Sequence, residues 1–265
     1  MPVIKGLEWT FDTVASAYEK LRPGYVDELY EMVFAYQPLS EQSRAVEVGI
    51  GGGQATKPVL ETDCHVLAVE PGDNFCALCQ EKFKAYPGFA TLHSKFEETD
   101  LPKDAYDLVY SASAFHWVPE DIGYQKVYDI LKSGGTFARF ANHPHPDKER
   151  IQLTAEIDQL YEEYYNGYHK RSKGKPVPYS EEAARARAQI AEKYGFTDIR
   201  WALFYRTRTF TASQYIQLLG TYSDHIAIDA PTRNRFFAAI EAAINRHGGL
   251  FTLYDTIDLQ LARKP

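Results

Sequence analysis

Val46-Glu-Val-Gly49-Ile-Gly51-Gly-Gly53-Gln54 is the stretch that decides the fold of this chain. The apolar run Arg44-Ala-Val-Glu-Val-Gly49 stops at glycine, and Ala55-Thr-Lys-Pro-Val-Leu-Glu61 follows it, which reads as strand, tight turn and helix start. Glycines at such a turn let the backbone approach a ligand at the carboxyl edge of the sheet, where open α/β sheets place their sites. A dinucleotide fingerprint needs G-x-G-x-x-G/A; counted from Gly49, the sixth position is Gln54, so a nicotinamide oxidoreductase is disfavoured. The phosphate loop G-x-x-x-x-G-K-[ST] is absent as well. What remains is acidic-x-G-x-G-x-G, with Glu47 two residues before the first glycine. Glu70 ends a second apolar run, His65-Val-Leu-Ala-Val-Glu70, where a carboxylate can accept hydrogen bonds from both hydroxyls of a ribose. A glycine turn at one strand tip and an acid at the next point to a nucleoside ligand.

Outward from this unit the pattern repeats. Phe89–His93, Tyr106–Ser111 and Gly135–Phe140 read as further strands, with helical stretches after Glu70 and over Ile122–Leu131. Alternation of strand and helix predicts a mostly parallel sheet covered on both faces, a three-layer α/β sandwich. Ahead of it, residues 8–36 read as two amphipathic helices. Residues 147–195 lack a strand signal and carry two helical stretches joined by the basic segment His169–Pro178. Ile199–Thr209 and Phe251–Ala262 alternate again, with helices between them. The expectation is a seven-stranded sheet closed by an antiparallel C-terminal edge pair, divided as 1–146 (N-terminal helices and ligand-binding core), 147–195 (inserted helical cover) and 196–265 (completion of the same sheet).

The 265 residues are 45% hydrophobic and 25% charged, enough to build a globular core, and the net charge of −7 disfavours tight non-specific binding to a phosphate backbone. Three cysteines, Cys64, Cys76 and Cys79, suit a reducing compartment rather than a disulfide scaffold. The opening MPVIKGLEWTFD lacks the pattern of a signal peptide and no run is long enough to span a membrane, so the expected location is cytoplasmic, without membrane association.

With these residues in hand, the chain resembles the class I S-adenosylmethionine-dependent methyltransferases, in particular the small-molecule "type 11" group that includes the trans-aconitate-methyltransferase-like proteins. The resemblance runs from about residue 11 to 140. It is carried by Phe11-Asp12-x-x-Ala15-x-x-Tyr18-x-x-x-Arg22-Pro23-x-Tyr25, Glu47–Gly53, Val69-Glu70-Pro71, Phe96-Glu97-x-x-x-Leu101-Pro102, Tyr106 through Trp117, and Leu131-Lys-x-Gly134-Gly135-Thr-Phe. It implies a Rossmann-like core, S-adenosyl-L-methionine as cofactor and S-adenosyl-L-homocysteine as its product. Tyr18 and Arg22, on one helix face, would reach the methionine carboxylate. Glu47 and the Gly49 and Gly51 backbone would meet the amino-acid part, and Glu70 the ribose. Pro71 and Phe96 would flank the adenine, with Glu97 at its edge. Ser111 and Ala112 would lie near the sulfonium, which Trp117 could face with its ring.

His116, at the end of the fourth strand, is the candidate catalytic residue, as general base or as a positioning group. Methyl transfer from a sulfonium is an in-line displacement on an activated donor, so alignment and desolvation can suffice. The expected partner is a small-molecule methyl acceptor rather than nucleic acid, the chain acting as monomer or homodimer. The fourth strand ends in Ser111-Ala-Ser-Ala rather than the Asn/Asp-Pro-Pro-aromatic segment of nucleic-acid methyltransferases. The alternatives are a non-catalytic protein that binds S-adenosylmethionine or S-adenosylhomocysteine and, second to it, a nucleic-acid methyltransferase. No metal is expected: Cys76-x-x-Cys79 lacks a second pair, and His143-Pro-His145 reads as loop. Lys170-Arg171-Ser-Lys173-Gly-Lys175 reads as a solvated loop or an anionic-substrate lip, and the Tyr161, Tyr164, Tyr165, Tyr168 stripe as helix packing or pocket lining.

Overall fold

A computed structural model describes residues 11–147, 149–170 and 177–265. The elements run α1 (Ala15–Leu21), α2 (Asp27–Tyr36), β1 (Arg44–Val48), α3 (Thr56–Leu60), β2 (His65–Glu70), α4 (Asp73–Lys82), β3 (Phe89–His93), β4 (Tyr106–Ala112), α5 (Glu120–Ile130), β5 (Leu131–Pro146), α6 (Ile151–Leu160), α7 (Gly167–His169), α8 (Glu181–Gln189), β6 (Thr197–Thr211), α9 (Ala212–Leu219), α10 (Ser223–Ile226), α11 (Ala230–Arg246) and β7 (Leu250–Arg263). A π-helical stretch, Tyr161–Asn166, joins α6 to α7.

The seven strands form one sheet in the order β3-β2-β1-β4-β5-β7-β6. The first five pair in parallel and β7 pairs antiparallel with both β5 and β6, the mostly parallel Rossmann-like sheet with an antiparallel edge pair. In β1 every residue after Arg44 is buried, because a parallel strand covered by helices on both faces has no solvent side. Val33, Val66 and Leu108 belong to the core on one face, and Val46, Val109 and Val127 to that on the other. Order reverses between β1 and β4, so the crevice at their carboxyl ends is where a doubly wound sheet places its ligand.

The C-terminal half holds a third core in which Leu153, Ile157 and Tyr165 pack with Leu218, Phe236 and Ile240. The first helix after residue 147 thus shares its interior with α9 and α11, while α8 lies on β6 and β7. Strand β5 runs well past the expected Gly135–Phe140, through Pro144 and Pro146. Its long antiparallel partner β7 pairs with it residue by residue from Thr136↔Arg263 to Pro146↔Leu253, which carries His143-Pro-His145 into the sheet rather than a loop. The basic residues 171–175 lie outside the described residues. No helix among those described is long and apolar enough to cross a membrane.

Candidate active site

The turn after β1 is held from three sides. Gly49 has φ +74°, and a Cβ there would stand 2.5 Å from the Ala114 Cβ, so the glycine is required both by conformation and by the approach of the turn after β4. Gly52 lies under α1: a Cβ would stand 2.8 Å from Glu19 Cα. The Gln54 side chain reaches the Tyr18 and Glu19 carbonyls at 3.4 and 3.5 Å, tying the same helix to the turn. From α4, Cys79 donates its thiol to the Gly51 carbonyl at 3.2 Å and Lys82 donates to the Gly52 carbonyl at 2.9 Å. Cys76 donates to the Glu70 carbonyl at 3.6 Å. The Cys-x-x-Cys pair therefore pins backbone on both sides of the crevice, with both thiols buried.

Glu70 is 7% exposed and bridges two loops: Oε2 accepts from the Gly51 N–H at 3.0 Å and Oε1 from the Gly72 N–H at 2.9 Å. Burial pushes its pKa up, and the two N–H donors oppose that. One lone pair on each oxygen is left for further donors. Asp12 completes this side by accepting from the Phe75 N–H at 3.0 Å at the start of α4.

Glu47 is fully buried beneath the turn. Its Oε2 accepts from the Thr56 and Tyr110 hydroxyls at 2.7 and 2.8 Å, while Oε1 is buried with no partner. Desolvation raises its pKa to about 7, against the two hydrogen bonds that lower it. A buried carboxylate oxygen lacking a donor is costly, and a cationic N–H is the group that would satisfy it.

Tyr18 stands over Gly51, its Cε1 3.5 Å from the position of a Cβ there, in an aromatic chain with Phe11 and Phe75. Phe11 links it in turn to Trp117. Arg22 is largely committed: Nε and Nη2 donate to the Thr221 hydroxyl and carbonyl at 2.9 and 2.8 Å, and the guanidinium lies 3.9 Å over the Tyr222 ring. Nη1 alone is left without a partner among the described residues. The pairing to Thr221, 199 residues away, carries no local sequence signal.

Other expected contacts are placed differently. Phe96 is 3% exposed and sits in the core, so it offers no open ring face to an adenine. Ser111 is fully buried and gives its hydroxyl to the Val48 carbonyl at 2.8 Å, which leaves the half-buried Ala112 as the residue at the tip of β4. Pro71 and Glu97 are half-buried, the Pro71 carbonyl paired with the His93 ring at 2.9 Å. The sequence assigned no contact to the Ser113 and Tyr25 side chains; their hydroxyls meet at 2.8 Å, and Ser113 takes φ +56° in the turn that faces Gly49.

His116 is solvent-exposed, its ring 5.2 Å from that of Trp117. Desolvation, then the Arg187 and Arg139 charges, push its pKa down to about 4, so the imidazole is neutral at pH 7. Tyr161 and Tyr164 pack on Phe236, and the Tyr161 hydroxyl pairs with the His225 ring at 2.9 Å. Among the described residues no group of three or more His, Cys, Asp or Glu side chains is arranged to hold a metal ion.

A family model for a methyltransferase domain matches residues 46–138, from the first strand to the fifth. An uncharacterized methyltransferase of Geobacillus thermodenitrificans is 30% identical over 175 residues, covering 58% of this chain and 80% of the relative. One from Schizosaccharomyces pombe is 22% identical over 236 residues, 89% of this chain and 87% of the relative. A Dictyostelium discoideum methyltransferase is matched over 46% of its length, at 27% identity. Among solved structures, a type II methyltransferase from Anaeromyxobacter dehalogenans superposes with a TM-score of 0.60 at 21% identity, over 91% of this chain and 97% of that one. The Haemonchus contortus phosphoethanolamine N-methyltransferase 2, bound to S-adenosylhomocysteine, does so at 0.55 and 15%, over 100% of this chain and 61% of that one. With the strand order, the glycine turn and the second-strand acid in agreement, the chain belongs to the class I S-adenosylmethionine-dependent methyltransferases.

Proposed function

We propose that this methyltransferase acts on a small molecule bound over the carboxyl ends of β4 and β5, with the cofactor held at the tips of β1 and β2. The observation that carries the reading is Glu70: a nearly buried carboxylate at the tip of β2, fixed by the Gly51 and Gly72 N–H groups with lone pairs to spare, is the bidentate acceptor a ribose requires. The remaining residues fit the same ligand. Glu47 Oε1 is a buried acceptor for an ammonium group, Arg22 Nη1, without a partner among the described residues, is a donor for a carboxylate, and the Phe11, Tyr18 and Trp117 rings suit a sulfonium. S-adenosylmethionine, when bound, supplies a methyl group already activated by its sulfonium.

The protein's own residues then align and dry the site. The aromatic chain of Trp117, Phe11 and Tyr18, together with α1 packed on Gly52, shuts water from the tips of β1 and β4. His116 orients the acceptor through a hydrogen bond; with its pKa held near 4 it is a poor proton acceptor at neutral pH. Catalysis then rests on alignment. The net charge of −7 fits a small acceptor better than a nucleic acid. Calorimetric titration with S-adenosylmethionine, S-adenosylhomocysteine and NADH tests the cofactor. Micromolar binding of the first two alone supports the reading, and no binding by ligand-free folded protein refutes it.

A further inference from the structure

The sheet face covered by α5 and α8 carries a polar cluster beside the cofactor cradle that none of the roles above uses. Arg139 lies in β5 directly across from Ser111, one residue short of the tip of β4. It is 9% exposed and packs its guanidinium 5.1 Å over the Phe115 ring; among the described residues it makes one hydrogen bond, from Nη1 to the Tyr124 hydroxyl at 3.1 Å, and its buried Nε has no partner. Arg187, from α8, donates from Nη1 to Asp258 Oδ2 at 3.3 Å, and its Nε is likewise buried and unpartnered. Asp258 is fully buried; it pairs with the His143 ring at 2.8 Å and accepts from the Gln260 amide, whose own Oε1 has no partner. Among the described residues Asp258 pairs with Arg187 and attracts Arg139 without touching it, the two guanidinium groups repel each other, and no second carboxylate pairs with either, so the cluster is one negative charge short.

A buried cation without a counter-ion is costly, and unsatisfied buried donors in a folded protein mark where a ligand or ordered water completes the set. Guanidinium forks match planar oxyanions. A deficit of one charge is what a carboxylate supplies, whereas a phosphate monoester carries more than one at neutral pH. His116 is close enough that Arg187 and Arg139 are the leading charges acting on it, which ties the cluster to the end of β4 where the acceptor enters. We propose that Arg139 and Arg187 form an anion subsite of the acceptor pocket and that the methyl acceptor carries a carboxylate held there. This rests on reading the ends of β4 and β5 as the acceptor side of the site.

The test uses protein saturated with S-adenosylhomocysteine, whose binding is measured first, so that a failed cofactor reading shows itself separately. Acetate and benzoate are titrated against acetamide, benzamide and phenyl phosphate by ligand-observed NMR. The carboxylates are expected to bind at least tenfold more tightly than their amides. Arg139→Gln and Arg187→Gln are each expected to weaken that binding at least tenfold, with S-adenosylhomocysteine affinity kept within threefold. Equal binding of amide and carboxylate, no carboxylate binding, or carboxylate binding untouched by both substitutions overturns the proposal. Phenyl phosphate binding tenfold more tightly than benzoate overturns the carboxylate assignment in favour of a phosphate. Should Arg139→Gln fail to fold, the wild-type carboxylate-to-amide ratio and Arg187→Lys, which keeps the charge and loses the fork, decide it.

Discussion

Replacing Glu70 by alanine removes two things at once, and the structure separates them. In the ligand-free protein the carboxylate accepts from Gly51 and Gly72 at 3.0 and 2.9 Å in a site only 7% exposed. Leaving two buried N–H donors unsatisfied costs about 1–3 kcal/mol each, so Glu70→Ala should lose roughly 2–4 kcal/mol of stability once some water enters. With ligand bound, two ribose hydroxyls lose a charged acceptor, at about 1.5–3 kcal/mol per bond. That is a weakening of S-adenosylhomocysteine binding by roughly two to four orders of magnitude. Glu70→Gln keeps one acceptor oxygen but turns an NH2 toward one of the two N–H groups, and should fall between wild type and alanine. Titration calorimetry on variants shown to be folded by circular dichroism reads the affinity, and thermal unfolding reads the stability separately. An affinity for S-adenosylhomocysteine within threefold of wild type in folded Glu70→Ala would refute the ribose assignment, leaving Glu70 as a structural bridge between two loops.

Glu47 makes stability depend on pH. Its folded-state pKa of about 7 lies above the usual carboxylate range, so the native state binds more protons than the unfolded chain between about 4.5 and 7, and stability falls as pH rises through that window. The loss should reach about 3 kcal/mol and vanish in Glu47→Gln, and a flat denaturation midpoint across the window in wild type would contradict it. Because an ammonium group favours the ionised form, S-adenosylhomocysteine affinity should rise from pH 6 to 8 in wild type and not in Glu47→Gln. Gly52→Ala pushes a Cβ to 2.8 Å from Glu19 Cα, and overpacking of this kind costs about 1–3 kcal/mol, so hydrogen exchange should show α1 loosened and cofactor affinity reduced. The pH profile of kcat should show no limb near pH 6.5 attributable to His116, and a limb that disappears in His116→Asn would restore it as a general base.

What the sequence determined by itself are the features with local causes. Alternating strand and helix patterns predicted a mostly parallel seven-stranded sheet with an antiparallel end, because burial on both faces writes a continuous apolar run that needs no long-range information. The glycine turn and Glu70 were legible for the same reason: positive φ at Gly49 and an acid at a strand end are properties of a few adjacent residues. Tertiary structure decided the rest. Only the pairing with β7 carries β5 through Pro146, and only the fold shows that Phe96 is core and that Ser111 is spent on a neighbouring strand. Arg22 meets Thr221 across 199 residues, and Arg139, Arg187 and Asp258 converge from β5, α8 and β7. Charges brought together from such separations leave no periodicity or motif, because their energy comes from burial and proximity, which exist only once the chain has folded.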